Sequence, residues 1–202
     1  MRKENENNSK AKNNKLANII ILILIAVIII GTATYALSNK KFKYAGFEWE
    51  KVDYNGLKFY HSTLNDYNLY LRNDPRENDI PLDANFKFHR NVIVSMDKDA
   101  GECKEAVMAN TVLGSFLGPM NLGLNAQGAL NDETAAQELG FPFANCSNAV
   151  DNTTVILMHK SEIPGIFEDK NKDCIILNVG DCQNIKTVER FIVGVLSQAT
   201  NE

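Results

Sequence analysis

CIILNVGDCQNIKTVERFIVGVLSQA, residues 174–199, changes its period halfway along. Cys174-Ile175-Ile176-Leu177-Asn178-Val179 is an almost unbroken apolar, β-branched run, the pattern of a strand covered on both faces. After Gly180 the apolar residues Ile185, Val188, Ile192, Val195 and Ala199 recur at helical spacing, and Phe191 and Leu196 widen the stripe. A buried strand followed by the helix that covers it is the unit of an α/β or α+β domain.

Working outward, Thr153 to Met158 repeats the strand pattern, and Phe86, Phe88, Val92, Val94 and Met96 keep a period of two through the central run Val92-Ile93-Val94. Cys103, Ala106, Val107, Val112, Leu113, Phe116 and Leu117 fall at helical spacing before Gly118-Pro119 stops them. A shorter helix is expected from a cap at Asn131 to Gly140, and Met120 to Gly128, rich in Gly and Asn, reads as a loop. Nearer the N-terminus, Phe47 to Val52 and Leu57 to His61 flank Asn55-Gly56, a pair that favours a tight hairpin. Tyr67, Leu69 and Leu71 then alternate with Asn68, Tyr70 and Arg72 in a third strand with one buried face. The expected architecture is a mixed β-sheet with about three helices packed on it.

The chain has 202 residues, enough for one sizeable core and an appendage. The appendage is N-terminal. Ile19 to Ile30 is uninterruptedly apolar and Gly31 to Leu37 adds no charge, so nineteen uncharged residues reach about 28 Å as a helix, close to the thickness of a bilayer core. The expected organisation is a disordered cytoplasmic tail over 1–17, a transmembrane helix over 18–37 in contact with the lipid bilayer, a juxtamembrane stretch over 38–45 and an outward-facing domain over 46–202. A cleavable signal peptide is the rival reading, with small residues at Gly31-Thr32-Ala33. Lys/Arg counts on the two sides of the segment are equal, so orientation rests on the long acidic domain and its cysteines, both of which suit the outside. Residues 1–18 hold five Lys/Arg and two Glu, which leaves 16 basic and 23 acidic residues for the rest. An acidic body without a basic stripe excludes nucleic acid as partner.

Cys103, Cys146, Cys174 and Cys182 form an even set with no CxxC, which points to two disulfides in an oxidising compartment instead of a zinc or thiol-exchange site. An extended strand between Cys174 and Cys182 sets them roughly 25 Å apart, too far to bridge each other. If the strands ending at Met96 and Val179 run parallel, Cys103 pairs with Cys182 and Cys146 with Cys174. An antiparallel arrangement favours Cys103 with Cys174.

Chemistry-bearing residues are sparse. His61, His89 and His159 have no metal-ligand spacing, and no phosphate loop, dinucleotide fingerprint or nucleophile elbow is present, so no cofactor or metal is called for. Asp97, Asp99 and Glu102 suit a helix N-terminus. Arg72-Asn73-Asp74-Pro75-Arg76-Glu77 is the densest polar segment, and Arg72, Asp74 and Arg76 are its candidate ligand-binding residues, since two guanidinium forks grip a carboxylate or phosphate. The competing reading is a turn whose charges pair with their neighbours. Asn145 and Asn152 head glycosylation sequons, although 25 Asn and 17 Ser/Thr supply about two by chance.

Tyr67-Asn68-Leu69-Tyr70-Leu71-Arg72-Asn73-Asp74-Pro75-Arg76, with Cys174-Ile175-Ile176-Leu177 and Glu189-Arg190-Phe191-Ile192, resembles uncharacterised single-pass membrane-anchored proteins of small-genome archaea. The resemblance covers most of the outer domain and implies no activity and no residue's role. The functional expectation is a membrane-anchored binding or cell-surface interaction module with a surface protein or glycan as partner. An enzyme with a polar site around Arg72–Arg76 is the alternative.

Overall fold

The structure, a computed structural model, describes residues 21–30, 41–64, 67–118, 122–149, 152–169 and 173–200. Two compact units divide the chain, Met1–Lys41 and Phe42–Glu202. In the first, residues 21–30 are helical (α1) with exposed apolar side chains. Among the described residues no helix is long and apolar enough to cross a membrane. Residues 18–20 and 31–37 of the expected span lie outside the described residues, as does the tail 1–17.

The second unit begins with a strand, so Phe42 and Tyr44, expected in a juxtamembrane stretch, belong to the domain. Strands β1 (Phe42–Tyr44), β2 (Phe47–Tyr54), β3 (Leu57–Leu64) and β4 (Tyr67–Leu71) form an antiparallel sheet in that order. Asn55 and Gly56 both take positive φ, 54° and 83°, as a two-residue hairpin of this hand requires, and Asp53 Oδ1 accepts the Gly56 N–H at 2.8 Å. The sheet's inner face carries Trp49, Leu69 and Leu71 into the main core.

A second sheet has the order β5-β9-β10-β8-β6-β7, built from β5 (Leu82–Asp83), β6 (Asn91–Met96), β7 (Asn125–Leu130), β8 (Thr153–His159), β9 (Gly165–Glu168) and β10 (Cys174–Asn178). Strands β7, β6, β8 and β10 are parallel, with β7 at the edge, and β9 is antiparallel to β10. Among the described residues of this unit, four α-helices follow strands or lie between them: α2 (Lys98–Gly101), α3 (Ala106–Leu117), α4 (Glu133–Leu139) and α5 (Asn184–Ala199). The fold is mixed α/β with two sheets where a single sheet was expected. Two further departures concern strands: Phe86 and Phe88 lie in irregular chain, and the expected loop Met120 to Gly128 contains the start of β7.

Register decides what each face of the large sheet meets. Val92, Ile156, Met158, Ile175 and Leu177 point to the side of α3 and α5 and enter the main core. Val155, Leu157 and Cys174 point the other way, into a small cluster with Ala149, Cys146 and Ile93. This second face has a thin cover, the irregular segment around Ala144 to Ala149, held by Ser95 Oγ donating to Ala144 O at 2.6 Å and by a disulfide from Cys146 to Cys174. A second disulfide joins Cys103 to Cys182. Because β6 and β10 run parallel on either side of β8, the loops that follow them leave the same end of the sheet, and this bridge ties them across it.

Chain entropy gives the two bridges different weights. They close loops of 79 and 28 residues. Loop closure assigns roughly 4.5 kcal/mol to the longer and roughly 3.6 to the shorter. Cys103→Ser/Cys182→Ser is expected to lower the guanidinium midpoint more than Cys146→Ser/Cys174→Ser. A wild-type midpoint in either variant contradicts the assigned bridge.

Candidate functional site

The Arg72–Glu77 segment opens a strap that runs along α5. Arg72 and Asn73 both donate their backbone N–H to the Glu189 carboxylate, and Asn73 Nδ2 donates to it at 2.7 Å. Asn78 Nδ2 then donates to Lys186 O, Lys186 Nζ meets Asp79 Oδ1 at 2.6 Å, Arg190 Nε donates to Ile80 O, and Gln198 Oε1 accepts from Phe86 N. The strap thus supplies partners for Lys186, Glu189, Arg190 and Gln198 of a helix that is otherwise immersed in the core, while Asn184 Oδ1 and Thr187 Oγ1 on the same helix have none among the described residues.

Arg72, Asp74 and Arg76 sit close in the chain but do not converge on a shared space. Arg72 reaches Glu105 at 3.1 Å beside a groove of about 320 Å³ that Gln183 and Lys186 also line. Arg76 grips Asp74 with two bonds of 3.0 and 2.6 Å and lies 3.8 Å over the Phe42 ring. That grip, against a partial penalty from burial, holds the Asp74 carboxyl below the usual range. Both guanidinium forks thus have carboxylates of the chain itself as partners. Glu189 is 3% exposed, and burial pushes its carboxyl up despite three donors.

The C-terminal ends of the parallel strands, where α/β folds commonly place ligands, hold Asp97 and His159. His159 Nδ1 meets Asp97 Oδ2, the same oxygen accepts from Lys160 N at 3.0 Å, and Asp97 Oδ1 caps α2 through Ala100 N. Asp97 is therefore engaged in building the turn, as its place before α2 led one to expect. His89 pairs with Asp173 at 3.2 Å. Among the described residues no group of three His, Cys, Asp or Glu is placed to hold a metal ion. Asn145 caps a short 3₁₀ turn, Cys146–Asn148, and exposed Asn152 takes a φ of 65°.

The outer face of the four-stranded sheet is different. Pairing brings Glu50 opposite His61, Val52 opposite Phe59, and Tyr54 opposite Leu57, with Tyr70 next to His61 on β4. Sheet alternation puts all of these on the side away from Trp49, where polar residues are the norm. Val52, Tyr54, Phe59 and Tyr70 line a shallow, mainly apolar cup of about 450 Å³. Tyr54 and Leu57 are 73% and 58% exposed. Beside the cup stands a polar row: His61 Nδ1 meets Glu50 Oε1 at 3.1 Å and His61 Nε2 meets Asn68 Oδ1 at 2.9 Å, while the ring packs on Tyr70 at 4.8 Å. Sequence reading placed these strands without singling out the face. Its signal was available, since apolar residues at both parities of β3 leave one set outside.

Glu189 makes the strap testable. Its folded carboxyl is raised above the ordinary value of 4.5, so its contribution to stability is complete below that value and is lost as pH rises through the raised one. Glu189→Gln, uncharged throughout, should lack this decline whatever its absolute stability. Urea unfolding of both proteins from about pH 4 to about pH 7 reads the slopes, and parallel curves contradict the assignment.

No protein-family model matches the chain, and no curated protein and no solved structure matches it.

Proposed function

We propose that this chain is a membrane-anchored domain held outside the cell, and that it binds carbohydrate on the outer face of its four-stranded sheet. The observation that carries the binding site is the cup of Val52, Tyr54, Phe59 and Tyr70 with the polar row Glu50, His61 and Asn68 along its side. A sugar ring has an apolar C–H face and a rim of hydroxyls, and the site matches both. Tyr rings accept the face by stacking, and Glu50, Asn68 and the tyrosine hydroxyls meet the rim. The cup's volume of about 450 Å³ falls in the range of small-ligand sites.

Two disulfides suit an oxidising compartment. The nineteen uncharged residues from Ile19 to Leu37, preceded by a basic tail, supply the anchor in this reading. Protease added to intact cells should then cut the domain, whereas protection until lysis reverses the topology.

The binding reading is tested by titrating a panel of di- to tetrasaccharides into the full chain in detergent micelles. At least one sugar should bind, and Tyr54→Ala and Tyr70→Ala should each weaken it about 2- to 10-fold, as expected for one lost aromatic contact. A panel without a binder, or binding indifferent to both substitutions, removes the proposal.

A further inference from the structure

We infer that the free edge of β7, with the groove between β7 and α3, is a binding site for a short extended peptide of another protein, which adds as a strand and seats an uncharged apolar side chain in the groove. The inference is independent of the carbohydrate reading, because it concerns the far edge of the other sheet.

β7 ends the sheet order, so among the described residues one of its sides has no neighbouring strand. Asn125 N donates to Arg90 O, on the β6 side, and backbone direction alternates along a strand. Ala126, Gly128 and Leu130 therefore turn their N–H and C=O outward. Leu130 uses both: its N–H donates to Pro142 O at 2.9 Å and its C=O accepts from Ala144 N at 3.0 Å, making a parallel bridge with Phe143. The chain itself thus begins the next strand position and stops after one residue. At Ala126 and Gly128, nothing among the described residues takes up the four outward groups.

Natural sheets guard such edges with lysines, prolines or bulges. β7, Asn125-Ala126-Gln127-Gly128-Ala129-Leu130, contains no charge and no proline. The opposite edge, β5, is only two residues long.

A groove of about 310 Å³ runs beside this edge between Val94 and Met96 of β6, Gly114 and Asn110 of α3, and Leu139 and Phe141. Its floor is made of small residues. A Cβ on Gly114 or Gly128 meets nothing within 4 Å, and neither glycine has positive φ, so neither packing nor backbone geometry requires glycine there. The space fits an incoming side chain. Leu139 and Phe141 stand 65% and 55% exposed at its wall. Asn110 Oδ1 is buried without a hydrogen-bond partner, while its Nδ2 turns to Met96 Sδ at 3.5 Å.

Charge selects the occupant. Residues 42–202 carry 14 basic and 23 acidic residues, that is 21 − 7 and 25 − 2, a net of −9. Among the described residues no ionisable side chain lines the groove. An uncharged apolar segment matches it, and a charged one loses its hydration with no partner. A second copy fits less well. Antiparallel pairing that sets Ala126 against Gly128 of the copy brings the copy's Leu124 opposite Leu130, where Phe143 already sits.

The probe is a library of uncharged peptides six residues long with Val, Leu, Ile or Phe at alternate positions, titrated into the full chain in detergent micelles. Binders are expected, and N-methylation of the peptide at one alternate set of amides should weaken binding about tenfold or more while the other set tolerates it, the signature of strand addition. Ala126→Pro removes an outward N–H without touching the β6 ladder, and Gly128→Leu fills the groove, so each should reduce affinity to a similar degree. The N-methyl comparison uses the unaltered protein, so misfolding of a variant does not decide the matter. An absence of binders, or binding indifferent to both methylation patterns and both substitutions, overturns the inference. A concentration-dependent dimer that Ala126→Pro dissolves also overturns it, in favour of a second copy.

Discussion

The helix α5 has eleven of its sixteen residues buried, and the domain is arranged to make that tolerable. A helix buried on most of its sides needs partners for its polar groups as well as cover for its apolar ones. One side meets the large sheet at Ile156, Ile175 and Leu177, and the same cluster extends to Trp49, Leu69 and Leu71 of the small one. Gly194 permits closure at a third place: a Cβ there would lie 2.5 Å from Leu82 Cδ1 and 2.9 Å from Phe86 Cε2. What apolar packing cannot supply is a partner for Lys186, Glu189 and Arg190. A buried carboxylate without donors costs several kcal/mol. The strap from Arg72 to Phe86 meets that requirement, with backbone N–H groups at Glu189 and a carbonyl at Arg190.

This dependence explains why the densest polar segment misleads when read alone. Arg72 to Arg76 has the composition of an anion grip, yet the anion its backbone holds belongs to Glu189, more than a hundred positions downstream. Local spacing carries no trace of such a partner. Elements set by local chemistry were legible: the Asn55-Gly56 hairpin, the buried run at Cys174, the stripe of α5 and the cap at Asp97. β7 was not. Asn-Ala-Gln-Gly-Ala-Leu has no β-branched residue, and its conformation comes from the ladder with β6 along its whole length. Phe86 and Phe88 fail in the opposite direction. Their period of two suggests a strand, but both rings pack edge-on to Phe191, 5.1 and 6.1 Å away, from an irregular backbone.

The cysteines illustrate how topology converts distance in sequence into proximity. With β6, β8 and β10 parallel, residues a few positions beyond β6 and β10 return to one end of the sheet, and Cys103 and Cys182 meet with Cα atoms 5.3 Å apart. The other bridge serves the weaker face. Val155 and Leu157 there are covered by a segment that contains only the short 3₁₀ turn Cys146–Asn148, and Cys146 pins that segment to β10. Each crosslink ties down at least one turn or irregular segment, the ones around Cys103 and Cys182 and the one around Cys146.

The same economy separates stability from recognition. The buried carboxylate Glu189 and the partly buried Lys186 and Arg190 are engaged by the strap, so these charges are not free to form a pocket at the centre. At the periphery of the two sheets, alternation exposes what the core does not use. On the small sheet that surplus is the aromatic outer face opposite Trp49, and on the large sheet it is the uncharged edge of β7. Substitutions at either place leave the α5 interface untouched, so ligand preference and fold stability should vary independently in this domain.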